Sequence, residues 1–414
     1  MPSFKLLLAQ VAVILIVARL VGWFFRKLHQ PRVIGEMVAG ILLGPTLLSW
    51  VAPSVASQLF PHGKLGGIEL LSQIGLLLFM FLIGLELDLK QLRELGRTAV
   101  STSLVSIVAP FLLGLGLAFY LYPRFSNQAV GFAGFALFIS IAMSITAFPV
   151  LARILMERNL LRTKVGALAI TCAAVNDVVA WCVLAGIVII VRASGLWLSL
   201  WMTLAGLVAL VLVMLFAVKP ALQRLVSHFE KRGTLTHDSL AVILLLTLVS
   251  GGITEVLGLH ALFGAFLVGV VMPRQREFVR ELLQRLEPVT VVLLLPLYFA
   301  FTGLRSSFLL ISGATMWGYC LLIIALAVIG KFGGSSLAAK LNGLSWREAS
   351  AVGVLMNTRG LVELIILNVG LDLGVLSQEL FSLMVLMALV TTFMTSPLLS
   401  LIYSGKAIRS EAAL

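Results

Sequence analysis

Asn176 and Asp177 stand halfway along a long apolar segment, within CAAVNDVVAW (172–181). An aspartate at the centre of a lipid-embedded helix costs about 2.5 to 3.5 kcal/mol on insertion scales, so it must face protein or water and have a use. Away from bulk water a bare carboxylate is poorly tolerated, and the same oxygens take up either a proton or a hard cation. Two occupants that exclude each other make the simplest exchanger. Asn176 adds a neutral oxygen beside the acid, and the hydroxyls of Thr146 and Thr358 are candidates to complete the oxygen-rich shell that hard cations prefer. A plain interhelical salt bridge is the structural alternative for Asp177. Lys331 lies nine residues before Lys340, too deep for a terminal anchor, and has no acidic neighbour in sequence. It is expected to face Asn176 and Asp177 and either to neutralise the empty site or to carry a proton itself; snorkelling to the inner surface is the alternative. Arg359 and Glu363, four residues apart, fit a structural ion pair across one helical turn.

The elements that must position these residues are transmembrane helices. The 414 residues are 60% hydrophobic and only 12% charged, which excludes a soluble domain. Crossing about 30 Å of hydrocarbon takes roughly 20 apolar residues in a helix. Runs of that kind occupy 4–25, 33–51, 67–86, 98–122, 131–156, 164–191, 196–218, 238–256, 259–273, 289–304, 309–338, 346–370 and 376–404. The expectation is therefore an all-α polytopic membrane protein of about thirteen spans, the weakest being 259–273 and 289–304. The runs are continuous rather than alternating, which excludes a β-barrel.

Charge sets the orientation. With the N-terminus outside, 21 of the 30 Lys and Arg residues fall in inner segments, as cytoplasmic loops require. The C-terminus is then cytoplasmic, and a bacterial inner membrane is the expected location. The net charge of +12 is dispersed over those inner segments, so it reads as topology and not as a nucleic-acid footprint. The first span lacks a small-residue cleavage site and runs into Arg26-Lys27, which marks a retained helix. Cys172, Cys182 and Cys320 all fall within spans, and the first two share one helix and cannot bridge. Neither a disulfide nor a metal site is expected, and no cofactor or metal beyond the transported cation.

The chain also repeats itself faintly. LFMFLIGL (78–85) matches LYFAFTGL (297–304) at an offset of 219, AGILLG (39–44) matches GAFLVG (264–269) at 225, and MSITAFPVL (143–151) falls on MNTRGLVEL (356–364) at 213. These offsets place spans one to six over spans eight to thirteen, inverted in the membrane. The expected layout is a first repeat at 1–191, a connecting helix and inner loop at 192–237, a second repeat at 238–404 and a short tail at 405–414. In such architectures broken helices cross near the midplane. Pro149, read as a mid-helix proline, and Gly360, in the cluster Asn357-Thr358-Arg359-Gly360, mark the two breaks.

GEMVAGILLGP (35–45), FLIGLELD (81–88), AVNDVVAW (174–181), GLHALFGAFLVGVVMP (258–273) and MNTRGLVELIILNVGL (356–371) together resemble the monovalent cation:proton antiporter-2 family, in particular plant cation/proton exchangers and Kef-type bacterial proteins. The resemblance covers essentially the whole chain. It implies a homodimer in the lipid bilayer, with a six-helix core that carries the ion and moves against a fixed dimerisation domain. It implies that Asp177 carries cation and proton in turn, with Thr146 and Lys331 at the helix crossing.

Two departures matter. Electrogenic sodium/proton members carry two adjacent aspartates where this chain has Asn176 and Asp177, and a single carboxylate favours one cation per proton, an electroneutral exchange. Kef-type members continue into a soluble nucleotide-binding domain, whereas this chain ends ten residues after Ser404, which leaves a short member or a piece of a longer one. Both K+ and Na+ fit the ligand set, with Asn176 inclining the choice to K+. A cation channel is the rival function, although a titrating carboxylate faced by a lysine is a poor filter. An intramembrane enzyme is not expected: the five histidines sit at segment ends or loops, and no HExxH occurs.

Overall fold

The computed structural model describes residues 4–28, 30–61, 65–86, 97–126, 130–158, 160, 163–192, 197–232, 235–257 and 259–403. The tail at 405–414 lies outside the described residues. Among the described residues every regular element is helical. The main helices are α1 (Phe4–Lys27), α2 (Arg32–Leu43), α3 (Gly66–Glu86), α4 (Arg97–Phe125), α5 (Phe132–Ser144), α6 (Phe148–Glu157), α7 (Lys164–Arg192), α8 (Trp197–Val213) and α9 (Lys219–Arg232). They continue as α10 (His237–Val256), α11 (Ala261–Val271), α12 (Arg276–Val289), α13 (Leu295–Arg305), α14 (Gly313–Val328), α15 (Gly334–Leu341), α16 (Trp346–Met356), α17 (Leu361–Asp372) and α18 (Gln378–Ile402).

Several helix starts follow from capping residues. Ser345 Oγ accepts from the Glu348 N–H at 3.3 Å while Glu348 Oε2 accepts from the Ser345 N–H at 2.7 Å, a reciprocal cap that opens α16. Thr236 and Ser377 cap α10 and α18 in the simpler way, through the N–H groups of Ser239 and Leu380.

Eleven helices among the described residues are long and apolar enough to cross a membrane, and the pair α16 and α17, bent by 42° at its break, makes a twelfth. The remaining sequence segment, 259–273, is the 11-residue helix α11, short of the roughly 20 residues a full crossing needs. The other weak segment, 289–304, is the apolar end of a continuous helical run that starts at Arg276. Its first part, α12, is amphipathic and buries Phe278, Leu282 and Leu286.

The chain divides into two compact units that alternate along the sequence. The first comprises 1–15, 58–89 and 188–301; the second comprises 16–57, 90–187 and 302–414. Within the first unit α3 lies on α11 with backbones in contact: a Cβ on Gly269 would sit 2.7 Å from the Leu85 nitrogen. Arg274 ties the same ends together, donating to the carbonyls of Gly84 at 3.2 Å and Val270 at 2.9 Å.

Within the second unit a Cβ on Gly303 of α13 would run into the backbone of Gly40 and Ile41 in α2, and one on Gly44 into that of Gly303. These two contacts answer each other through the internal sequence matches. Gly84 aligns with Gly303 at an offset of 219 and Gly44 with Gly269 at 225, so the pairs Gly84 with Gly269 and Gly303 with Gly44 are equivalent.

Candidate functional site

The helical run of residues 132–157 is interrupted at 145–147, between α5 and α6, and that of 346–372 is interrupted at 357–360, between α16 and α17. The second halves start at Phe148 and Leu361, 213 residues apart, the same offset as the sequence match. Pro149 is therefore not a mid-helix kink. It occupies the first turn of α6, behind the extended Ala147, where its missing N–H costs nothing because the first N–H groups of a helix have no intrahelical partner. At Gly360 a Cβ would meet Val150 Cγ2 at 2.7 Å, so glycine lets the second break lie against α6.

The two breaks are stitched to each other. The Ala147 N–H donates to the Thr358 carbonyl at 3.0 Å. Unwinding leaves carbonyls without partners at the C-termini of α5 and α16, and each end is closed by a side chain from the opposite break. Arg359 donates from Nη1 to the Ala142 carbonyl at 2.7 Å and from Nη2 to the Met143 carbonyl at 2.6 Å. Thr146 Oγ1 donates to the Met356 carbonyl at 2.7 Å. Thr146 aligns with Arg359, and Met143 with Met356, at the offset of 213. The two caps are thus one interaction used twice, with different chemistry. Arg359 also pairs with Glu363 at 2.9 Å, both side chains being fully buried. Thr392, one helix away, accepts from the Arg359 N–H at 2.9 Å and donates to its carbonyl at 2.8 Å.

Asn176 and Asp177, on α7, lie against this crossing. Asp177 is 3% exposed, and neither carboxylate oxygen has a hydrogen-bond partner among the described residues. The N–H of Phe148, the first residue of α6, and Lys331 lie near it. A helix N-terminus is where an anion gains most from the aligned backbone dipoles.

Lys331 is fully buried in a π-turn, Ile329–Gly333, that joins α14 to α15. Such turns mark functional sites in many helices. With the Asn176 amide oriented so that its oxygen faces Lys331, the lysine Nζ donates to it at 2.9 Å and the amide nitrogen donates to the Cys172 carbonyl at 3.2 Å. Thr146 Oγ1 stands 3.3 Å from the same amide and Ser106 Oγ 3.2 Å. Asn176 therefore links the lysine to the first break.

Most of the residues singled out in the sequence fall together here: Asn176, Asp177, Thr146 and Lys331 around α7, and Arg359 with Glu363 at the second break. The Thr358 hydroxyl is directed elsewhere, to Thr395 Oγ1 at 3.4 Å, and the part of Thr358 that serves the crossing is its carbonyl. Sequence reading missed Ser106, Thr392 and Thr395. The last two carry a signal in the run TTFMT (391–395) inside an apolar helix. Ser106 carries none, since a lone serine in such a helix ordinarily bonds its own preceding turn, as Ser106 also does with the Ser103 carbonyl at 2.7 Å.

Residues 13–402 match the family described as "Sodium/hydrogen exchanger, transmembrane". The Na(+)/H(+) antiporter NhaS4 of Synechocystis sp. is 41% identical over 406 residues, covering 98% of this chain and 99% of its own. Cation/H(+) antiporter 17 of Arabidopsis thaliana is 41% identical over 98% of this chain, and K(+)/H(+) antiporter 1 of Saccharomyces cerevisiae 36% over 96%. The alignments take up 49% and 46% of those two proteins, so this chain spans about half the length of the plant and yeast relatives. The sodium proton antiporter MjNhaP1 from Methanocaldococcus jannaschii has the same fold, with a TM-score of 0.65 over 98% of this chain at 14% identity. A multi-pass helical membrane protein with these relatives along nearly its whole length belongs to the sodium/hydrogen exchanger transmembrane family, among the cation/proton antiporters.

Proposed function

We propose that this protein exchanges a monovalent cation, K+ or Na+, for protons, the two competing for Asp177 while the ion-carrying core alternates between the two faces of the membrane. The observation that carries this reading is the Asp177 carboxylate, buried, without a hydrogen-bond partner among the described residues and beside Phe148, which follows the unwound segment 145–147. Such an oxygen pair is stabilised by a proton or by a cation and gains little from standing empty. The relatives named Na(+)/H(+), K(+)/H(+) and cation/H(+) antiporters support the same exchange without choosing the ion.

In this reading Lys331 balances the charge of Asp177 in the unloaded state and is held by Asn176, which contributes no second carboxylate. One carboxylate then carries one cation or one proton, and the cycle is electroneutral. Thr146 and Thr358 supply the crossing with backbone and hydroxyl oxygens, and Arg359 with Glu363 keeps the ends of the broken helices closed. The paired caps and the paired glycine contacts support two inverted repeats. The inward bias of basic residues supports an external N-terminus, and a homodimer is the assembly we propose.

The test is a proteoliposome assay of proton flux by fluorescence dequenching with K+, Na+, Rb+ and Li+, run beside Asp177→Asn. The wild type is expected to respond to at least one cation and the variant to none; flux that survives neutralisation would sink the proposal. Proton release on adding the cation to purified protein separates exchange from a channel, which would release none. A reversal potential that shifts with membrane voltage would contradict one-for-one stoichiometry.

A further inference from the structure

Buried hydroxyls in these helices ordinarily bond their own preceding turn. Ser140, Thr247, Thr290, Ser306 and Thr391 each donate to the carbonyl four residues back, at 2.7 to 2.8 Å. Thr102 on α4 and Ser335 on α15 do not. Both residues are fully buried, and neither hydroxyl has a hydrogen-bond partner among the described residues. A hydroxyl stranded in this way has lost its hydration and gained nothing in return.

The contacts between α4 and α15 place the two. Gly330 and Gly334 lie against Pro110 and Ala109, a Cβ on either coming within 2.8 Å of its neighbour, and Asn342, just past α15, donates from Nδ2 to Ser101 Oγ at 2.8 Å. The helices are therefore antiparallel, with Ser335 close to the level of Ser106 and Thr102 about one turn nearer Asn342. Lys331, Ser335 and Asn342 follow the spacing i, i+4, i+11, and Thr102 and Ser106 the spacing i, i+4, so each set shares a helix face. Lys331 Nζ and Ser106 Oγ both reach the Asn176 amide, at 2.9 and 3.2 Å, so the two faces converge on α7. The row ends at Asn342, which is partly exposed between the exposed Leu341 and Gly343, roughly 16 Å along the axis from Lys331.

Hydroxyls both donate and accept, and at intervals of about one turn they supply the polar partners that single buried waters need. We propose that Thr102 and Ser335 line a file of water molecules that conducts protons between Asn342 and Lys331, through the junction of α4, α7 and α15. Each oxygen in the file accepts one proton and passes on another, so no valence changes, and Lys331 gives one proton to Asp177 as it takes one from the file. The lysine charge at the inner end of the file repels cations, so the path serves protons alone. It rests on the exchange reading of Asp177 and adds the route by which the proton comes and goes.

The test is the proteoliposome proton-flux assay on the double variant Thr102→Val with Ser335→Ala, which removes both hydroxyls with little change of shape. The maximal rate is expected to fall about tenfold, the scale of one hydrogen bond lost along the path. The cation concentration for half-maximal rate and the thermal unfolding temperature should stay as in the wild type. Thr102→Ser keeps a hydroxyl and should keep the rate. Thr247→Val removes a hydroxyl that bonds its own helix and should leave the rate unchanged. A wild-type rate in the double variant would overturn the path. So would a fall matched by Thr247→Val, or one accompanied by a lower unfolding temperature or a shifted half-saturation, since the hydroxyls would then be structural. A wild type without cation-dependent flux would overturn the exchange reading itself, and the path with it. Should the double variant fail to fold, Ser335→Ala alone must lower the maximal rate at unchanged half-saturation, and an unaltered rate there overturns the path.

Discussion

Asp177 and Arg359 are both charged and both buried, yet their surroundings assign them opposite tasks. Arg359 donates to two carbonyls and to the Glu363 carboxylate, so its charge is committed to structure. Asp177 keeps both oxygens uncommitted, so its charge remains available to a mobile ion. Asp177→Asn should therefore abolish cation-dependent proton flux while leaving thermal unfolding of the purified protein essentially unchanged. A large loss of stability would make Asp177 a structural acid. Arg359→Ala should have the reverse character: it strands a buried carboxylate and two helix-end carbonyls, a cost of about 3 to 5 kcal/mol for breaking one side of a buried pair. Adding Glu363→Gln to Arg359→Ala should recover part of that loss, because the stranded charge is gone. A double variant no more stable than Arg359→Ala would place the cost in the carbonyl caps alone.

The helices show where local signals suffice and where they do not. Proline and glycine stand at the two interruptions, where each restricts or frees the backbone at its own position. The role of Pro149 was misread, since a proline in the first turn of a helix and one at its centre look alike until the unwound residues 145–147 are seen to precede it. Pro149→Ala should accordingly change stability by less than about 1 kcal/mol. An increase near 3 kcal/mol, the cost of proline in a helix interior, would restore the kink reading. Glycine contacts between helices were visible only as weak repeats. Gly303→Ala pushes a methyl into the α2 backbone and should cost about 1 to 3 kcal/mol, whereas at Gly116 a Cβ meets nothing within 4 Å and alanine should be neutral or stabilising by up to about 1 kcal/mol. Equal effects at the two positions would show that the α2 and α13 contact is not close-packed.

For the molecule as a whole, the proposed external N-terminus, read from the asymmetry of basic residues, sets which loops a probe should reach. Ser126, just beyond α4, is expected outside and Arg280, on the exposed face of α12, inside. In a Cys182→Ser background that keeps the buried Cys172 and Cys320, a membrane-impermeant maleimide applied to intact cells should label Ser126→Cys but reach Arg280→Cys only after permeabilisation. The opposite pattern would invert the topology.

The sequence by itself determined the solvent of this protein, its helical class, the positions of its interruptions and the identity of its buried acid. Each of these follows from quantities local to a segment: apolar length, backbone restriction at proline and glycine, and the cost of a charge in lipid. Only the tertiary structure decided that Arg359 closes the end of α5 and Thr146 the end of α16, that Asn176 holds Lys331, and that the Thr358 hydroxyl turns to Thr395. Those choices rest on which unsatisfied carbonyl lies within about 3 Å of which donor. Residues more than two hundred positions apart meet only once the helices have packed.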